Sequence, residues 1–270
     1  MKQDFSVLMS VYKNEKPEFL KSCLYSIVNQ SLKPTELIIV KDGTLNKGLD
    51  NILEEFSNSN DFFYIFGYEQ NRGVGYALSF GLAKCNHEII IRCDSDDINK
   101  LDRFKTQIEF INKNNYAIIG SNIEEFHSEI GDLKRYRNIP QNNVNIQKFK
   151  YSRNPFNHMT VAFRKSIIIS AGGYVSMSGY EDYYLWLRVL KNHKGFNIQN
   201  NTVYARVGNN MIGRRQGYSF MIKELKFQKQ ILNDGLISRF QFFVNFFTRV
   251  IPRLLPITLL EIIYKFILRK

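Results

Sequence analysis

The sequence predicts an α/β fold, a mixed and mainly parallel sheet flanked by helices, with a C-terminal amphipathic helical extension. Three observations predict it. Short apolar runs rich in β-branched and aromatic residues recur along the first half, runs with helical apolar spacing separate them, and polar or acidic residues gather where several of the runs end. "FSVLMS" (5–10), "ELIIVK" (36–41), "FFYIF" (62–66), "EIIIRC" (88–93) and "YAIIG" (116–120) read as buried strands. Between the first two, "EKPEFLKSCLYSIVNQ" places Phe19, Leu20, Cys23, Leu24, Ile27 and Val28 at helical spacing, with Pro17 suited to a first turn. A second helical run follows Gly75, and a third follows Asp102, with Phe104, Ile108 and Ile111 on one stripe. Strand and helix in such close alternation imply parallel strands with right-handed crossovers. Open sheets of this kind bind ligands at the carboxyl ends of their strands, where Ser10 to Tyr12, Asp42 and a cluster around Asp94 fall.

The 270 residues, 44% of them hydrophobic, are enough for a real core and exclude general disorder. A net charge of +12 means that some surface faces anions: nucleic acid, acidic lipid head groups or phosphorylated small molecules. Zinc-finger spacing, a helix-turn-helix signature and RNP-like aromatic motifs are missing, and the basic residues are dispersed, which argues against nucleic acid. Cys23, Cys85 and Cys93 fit neither a zinc site nor a disulfide framework and read as small buried residues in a reducing compartment. Met1 and Lys2 lead directly into a strand-like segment without a cleavage signature, which predicts a cytoplasmic protein.

In "IIIRCDSDDINKLDRF" (89–104) an apolar strand, broken only by Arg92, runs straight into Asp94, Asp96 and Asp97. Hard divalent cations want such oxygens, and Mg²⁺ is commonly held by one or two carboxylates together with substrate phosphates. A solvated turn or helix N-cap is the ordinary reading of an acidic triplet. An EF-hand is disfavoured, because the glycine at the sixth position and the Glu at the twelfth are missing. A phosphatase with an aspartyl nucleophile stays open at this point, although it would need a partner Lys and a further acidic loop.

"SVLMSVYKNE", "IIVKDGT", "NRGVGYALSFGL", "IIIRCDSDDINKLDRF", "NPFNHMTVAFRKS", "AGGY" and "YEDYYLWLR" stand in the order and approximate spacing of the family 2 glycosyltransferases. The chain resembles that family over about residues 4–208, in particular its bacterial AmsE-like subgroup, which makes exopolysaccharides and O-antigens. The resemblance implies a GT-A fold, a nucleoside-diphosphate-sugar donor, Mn²⁺ or Mg²⁺ as cofactor, and inversion at the anomeric carbon. It implies a catalytic domain over 1–210, with a nucleotide-sugar half (1–120) and an acceptor half (121–210), while the composition of 211–270 reads as a C-terminal helical, membrane-associating region.

Carried onto this chain, the family pattern sets Ser10, Val11 and Tyr12 along the base and ribose. Asp42 reads the base, with Lys41 standing where many relatives have a second acidic residue. Arg72 lies near phosphate or base, and Gly73 permits close backbone approach. Because the third glycine of a dinucleotide fingerprint is missing, no Rossmann cofactor is indicated. Asp94 and Ser95 lie by the ribose, Asp96 holds the metal with Asp94 beside it, and Asp97 is a helper. Asp182 is the base that inversion requires, with Glu181 on the acceptor. Their competing reading is a helix N-terminus, where acidic residues favour the dipole. His158 and Asn157 line the acceptor or diphosphate side, against a plain structural reading of the histidine. Trp186 either stacks on sugar or fills core, and core is favoured. Gly172 and Gly173 serve a tight turn.

The C-terminal "LISRFQFFVNFFTRVIPRLLPITLLEIIYKFILRK" (236–270) sets Arg239, Arg249, Arg253, Lys265, Arg269 and Lys270 against Glu261 alone. It has no transmembrane-length uncharged run and is broken by Pro252 and Pro256. It reads as amphipathic helices at an anionic membrane surface, or else as a pair packing on the catalytic domain or on a homodimer partner. The expected function is inverting, metal-dependent transfer of a hexose, galactose or glucose, from a UDP-sugar. The acceptor is a lipid-linked (undecaprenyl diphosphate) oligosaccharide at the inner face of a bacterial cytoplasmic membrane, in O-antigen, capsule or exopolysaccharide synthesis. The alternatives are an N-acetylhexosamine or deoxysugar donor, and a non-catalytic nucleotide-sugar-binding or membrane scaffold protein.

Overall fold

The first four apolar runs become β1 (Ser6–Val11), β2 (Glu36–Asp42), β3 (Phe63–Tyr68) and β4 (Ile89–Arg92), and the fifth opens a later strand, Ile118–Phe126. The structure is a computed structural model and describes residues 4–177, 179–208 and 217–254. The first three helical segments are α1 (Pro17–Val28), α2 (Lys47–Asn58) and α3 (Val74–Lys84). The four strands pair in parallel in the order β3-β2-β1-β4. β1, β2 and β4 are buried on both faces, as continuous apolar runs in a parallel sheet must be. β3 alternates exposed and covered positions because it is the edge.

The second half supplies β5 (Ile98–Asn99), α4 (Arg103–Lys113), β6 (Ile118–Phe126), β7 (Arg135–Arg137), α5 (Asn143–Phe149), β8 (Ala162–Arg164), α6 (Lys165–Ser170), α7 (Glu181–Asn192) and β9 (Gly195–Arg206). A 3₁₀ turn, His158–Thr160, leads into β8. The sheet continues from β4 through antiparallel β8 to β6, which pairs in parallel with β9, and β5 closes the far edge antiparallel to β9.

Alternate side chains of the strands feed two cores. Val7, Met9, Leu37 and Ile39 pack with Leu20, Cys23 and Leu24 of α1, Leu49 and Leu53 of α2, and Phe104 and Ile108 of α4. Leu8, Ile38, Val40 and Ile90 pack with Leu78 and Leu82 of α3 and Leu185, Trp186 and Val189 of α7. Gly81 lets α3 press onto the sheet: a Cβ there would stand 2.5 Å from Leu8 Cδ1 and 2.7 Å from Val40 Cγ2. The three cysteines are buried and free, as the sequence implied. Gly172 and Gly173, at φ of 88° and 62°, end α6 by donating to the carbonyls of Ile169 and Ile168.

The chain divides into two compact units, Met1–Arg206 and Val207–Lys270. In the second, α8 (Tyr218–Asn233) packs on α9 (Arg239–Asn245), which runs on through a π turn (Phe246–Val250) and a 3₁₀ turn (Ile251–Leu254). Buried Glu224 pairs with Arg249 at 2.9 Å and Arg253 at 3.2 Å. These two arginines therefore neutralise an interior carboxylate, which corrects the expectation that they face lipid head groups. Lys265, Arg269 and Lys270 lie outside the described residues. Among the described residues no helix is long and apolar enough to cross a membrane.

Candidate active site

Because β1, β2 and β4 run the same way, the residues that follow them collect along one edge of the sheet. After β4, ligand atoms of Asp94, Asp96 and Asp97 all lie within 4.8 Å of one another. The loop carrying them is braced from four sides. Cys23 Sγ on α1 donates to the Asp94 carbonyl at 3.0 Å. Ser95 Oγ donates to Glu15 Oε2, in the loop before α1, at 2.8 Å. Arg206, ending β9, donates its main-chain N–H to Asp97 Oδ1 (2.7 Å) and its Nε to the Asp96 carbonyl (3.1 Å). The buried Arg103 guanidinium, at the start of α4, donates to the Arg92 carbonyl (2.6 Å), to Asn99 Oδ1 and to Gln107 Oε1 (3.0 Å).

These contacts leave the carboxylates crowded. Burial first, then the charges of Asp94 and Glu15, push the Asp96 carboxyl up to about 7. Burial, Asp96 and Asp94 raise Asp97 as well. Asp97 Oδ2 is buried and has no hydrogen-bond partner among the described residues. Arg92 supplies a positive charge at the far end, ion-paired to Asp94, but its Nε and Nη1 find no partner among the described residues. An oxygen-only donor set with an orphaned carboxylate oxygen and like charges that lift each other fits a hard divalent cation. Asp94, Asp96 and Asp97 are the residues that would hold it.

Asp42, at the end of β2, is 4% exposed and accepts four hydrogen bonds. They come from Tyr68 Oη (2.8 Å), Asn71 Nδ2 (2.9 Å) and the main-chain N–H groups of Arg72 (2.8 Å) and Gly73 (3.0 Å). It thus fixes the loop ahead of α3. Gly73 holds φ 87° there, a conformation glycine takes without strain, and the Arg72 guanidinium stacks 3.6 Å over the Tyr76 ring. Lys41 turns to Asp50 on α2, 2.7 Å away. Ser10 is half-buried, Tyr12 is 45% exposed, and Val11 is buried, so of Val11 only the backbone can line a ligand.

The first turn of α3 meets the first turn of α7. A Cβ on Gly75 would lie 2.7 Å from Glu181 Cγ, so the "NRGVG" and "YED" segments are neighbours. Glu181 Oε2 accepts from Gly179 N–H at 2.9 Å, and burial raises its carboxyl. Asp182 is half-buried, with Oδ2 accepting from Asn154 Nδ2 (2.6 Å) and Oδ1 from Tyr183 N–H (2.7 Å). Burial raises its pKa, partly offset by those two donors and by Arg92 and Arg137.

One tyrosine links the two acidic regions. Tyr174 is raised chiefly by burial; Arg92 opposes, while Asp182 and Asp94 both add to the rise. Arg92, ion-paired to Asp94, also favours the ionised form of Asp182. Tyr174 Oη hydrogen-bonds His158 Nε2 at 3.0 Å, and burial with Arg92 drives the His158 pKa well down, so that ring is neutral.

Two of the expected acceptor residues have interior positions. Asn157 is 1% exposed and donates from Nδ2 to the Ser121 carbonyl at 2.8 Å. Trp186 is 0% exposed, between Phe156, Phe163 and Tyr174, with no ring face open to a sugar, which is the core placement its helical spacing favoured. Sequence reasoning passed over Arg92, Glu15, Asn154 and Tyr174. Arg92 had a visible signal as the lone cation in a buried strand, while Asn154 opened and Glu15 and Tyr174 ended segments already singled out. Their contacts join positions far apart in the chain.

A family model described as "Glycosyl transferase family 2" matches residues 6–219. The chain is 39% identical, over 98% of its length and 97% of the relative's, to the UDP-Gal:alpha-D-GlcNAc-diphosphoundecaprenol beta-1,3-galactosyltransferase of Escherichia coli. It is 34% identical, over 97% of its length and 98% of the relative's, to the amylovoran biosynthesis glycosyltransferase AmsE of Erwinia amylovora. Its fold is similar, with a TM-score of 0.64 at 13% identity, to that of the mannosyltransferase PcManGT from Pyrobaculum calidifontis in complex with GDP-Man and Mn2+. That match covers 87% of this chain and 65% of the other.

Proposed function

The chain belongs to glycosyl transferase family 2 and is a glycosyltransferase of the GT-A fold, and from that premise we propose that it moves galactose, with inversion, from UDP-galactose to GlcNAc on a diphosphate-linked polyprenol. Full-length identity of 39% to a transferase of that name supports the donor and the acceptor. The observation that carries the reaction is the acidic triad at the end of β4, its ligand atoms within 4.8 Å of one another.

The α-linked galactose of UDP-galactose and a β-linked product require attack from the face opposite the leaving diphosphate. The acceptor hydroxyl oxygen forms the new bond to the anomeric carbon as the bond from that carbon to the phosphate oxygen breaks, and Asp182 takes the hydroxyl proton. A raised carboxyl pKa makes Asp182 a stronger base than an ordinary surface aspartate. Asp94, Asp96 and Asp97 would hold a divalent cation, which would neutralise charge on the departing nucleoside diphosphate. The loop Asn71–Gly73, pinned by Asp42, lines the nucleotide, with Arg72 held ready over Tyr76. Glu181, beside the base in sequence, touches Gly75 in the first turn of α3.

The second unit brings the enzyme to the membrane surface where its lipid-linked acceptor resides. Phe240, Phe243, Phe247, Ile251 and Leu254 are all exposed and recur at three and four residues, giving one apolar stripe for an interface.

The test is incubation with UDP-galactose, Mn²⁺ and a synthetic diphosphate lipid carrying GlcNAc, beside UDP-glucose and UDP-GlcNAc. UDP-galactose should be the preferred donor, and the anomeric coupling in the product should be that of a β-galactoside. An α-linked product would refute inversion. Transfer from UDP-GlcNAc alone would refute the donor.

A further inference from the structure

We propose that Asn154 is the positioning residue for Asp182, fixing the plane of the carboxylate against the acceptor hydroxyl. This rests on the reading of Asp182 as the base. Two donors from separate stretches of chain hold the two carboxylate oxygens: Asn154 Nδ2 on Oδ2 at 2.6 Å and Tyr183 N–H on Oδ1 at 2.7 Å. With one donor on each oxygen, rotation of the carboxylate costs at least one charge-assisted hydrogen bond, and each oxygen keeps a lone pair for the incoming proton.

The amide itself cannot turn round. Asn154 Oδ1 accepts from Phe156 N–H at 3.1 Å, so the NH₂ group has to face Asp182. Pro155 follows and restricts the backbone of Asn154 to extended conformations. Phe156 is fully buried, its ring edge-on to Trp186 of α7 with centroids 5.9 Å apart. The donor and the helix that carries the base are thus tied to the same piece of core. On the far side, Tyr183 Oη donates to the Lys150 carbonyl at 2.6 Å and steadies the first turn of α7.

Among the described residues, the other charged and titratable groups acting on Asp182 include Arg92 from β4, Arg137 from β7, Glu181 beside it and Tyr174 ahead of α7, the last bonded to His158. The Lys150 ammonium is committed to the Leu190 carbonyl at 3.1 Å. Both arginines and the Asn154 amide favour the ionised carboxylate, and the amide, with Tyr183 N–H on the other oxygen, also sets its orientation.

The experiment compares Asn154→Ala, Asn154→Asp and Asp182→Asn with the parent enzyme, measuring transfer from UDP-galactose to a GlcNAc-diphosphate lipid across pH, together with Mn²⁺-dependent UDP binding and melting temperature. Asn154→Ala should lower kcat about tenfold to a hundredfold, leave the KM for UDP-galactose and the binding of UDP unchanged, and move the acidic limb of kcat/KM to higher pH. Asn154→Asp, close in shape, should move the limb further in the same direction, because a neighbouring carboxyl competes for negative charge. It carries the test if the alanine variant does not fold. An Asn154→Ala enzyme that melts lower yet keeps the parent kcat and limb would reduce the contact to a helix brace and overturn the proposal. Asp182→Asn turning over at the parent rate would instead remove the base on which the proposal stands. A dead Asp182→Asn beside an unaltered Asn154→Ala would overturn the positioning role alone.

Discussion

Asp96 illustrates how a single residue can be poor for the fold and right for the reaction. Its carboxyl lies at about 7, raised by burial and by Asp94 and Glu15. That value is above the roughly 3.9 of an unfolded aspartate. Protonation therefore favours the folded state, and stability is lost as pH climbs from about 4 through 7. A dication that binds the ionised triad reverses the loss, and its binding releases protons. Mn²⁺ is accordingly expected to raise the melting temperature more at pH 8 than at pH 5.5, which differential scanning fluorimetry at the two pH values would check. Equal increments would contradict a carboxylate site. Asp182 follows a related rule: burial raises its pKa, so the acidic limb of kcat/KM should lie above the usual carboxylate range. A pH profile flat down to pH 4 would argue against it as the base. At this scale the aspartates were legible, because carboxylates after a buried strand have few other reasons to be there. Asn154 was not, since its importance lies in a partner 28 residues away.

The elements that deliver these side chains depend on close approach. Gly81 sits where α3 touches Leu8 and Val40, whereas Gly73 faces open space but holds φ 87°. Gly81→Ala should cost about 1–3 kcal/mol through overpacking and lower the melting temperature, with kcat of the folded enzyme unchanged. Gly73→Ala should cost about 1–3 kcal/mol in backbone strain and raise the KM for UDP-galactose, because the strained residue belongs to the loop over the donor. Melting curves and steady-state kinetics separate the two. The strands β1 to β4 and helices α1, α3 and α4 were readable as pattern, since buried parallel strands must be nearly all apolar. Strand β9 was not: "GFNIQNNTVYAR" carries a polar middle because the ladder with β6 is irregular around Asn122. Helix α2 hides its apolar residues, Leu49, Leu53 and Phe56, among acidic and small polar ones. The short pieces β7, α5 and α6 are too brief for any periodicity to declare itself.

For the whole molecule, the fold class followed from the alternation of strand and helix, and the linked motifs carried the family, while the interior role of Arg249 and Arg253 depended on a partner, Glu224, that no local pattern announces. The exposed stripe of the second unit makes its own prediction. Replacing Phe240, Phe243 and Phe247 together by Ser should cut sedimentation with anionic vesicles several-fold while transfer to a short-chain, water-soluble acceptor persists. Undiminished sedimentation would count against the stripe. The central claim is that a metal-held sugar nucleotide and a separate base meet in one cleft. The most direct test is Mn²⁺-dependent UDP binding by calorimetry set beside galactose transfer for Asp96→Ala and Asp182→Asn. Asp96→Ala should lose both, whereas Asp182→Asn should bind UDP as the parent does and transfer at least a hundredfold more slowly. Undiminished Mn²⁺-dependent binding in Asp96→Ala, or parent-like transfer by Asp182→Asn, would contradict it.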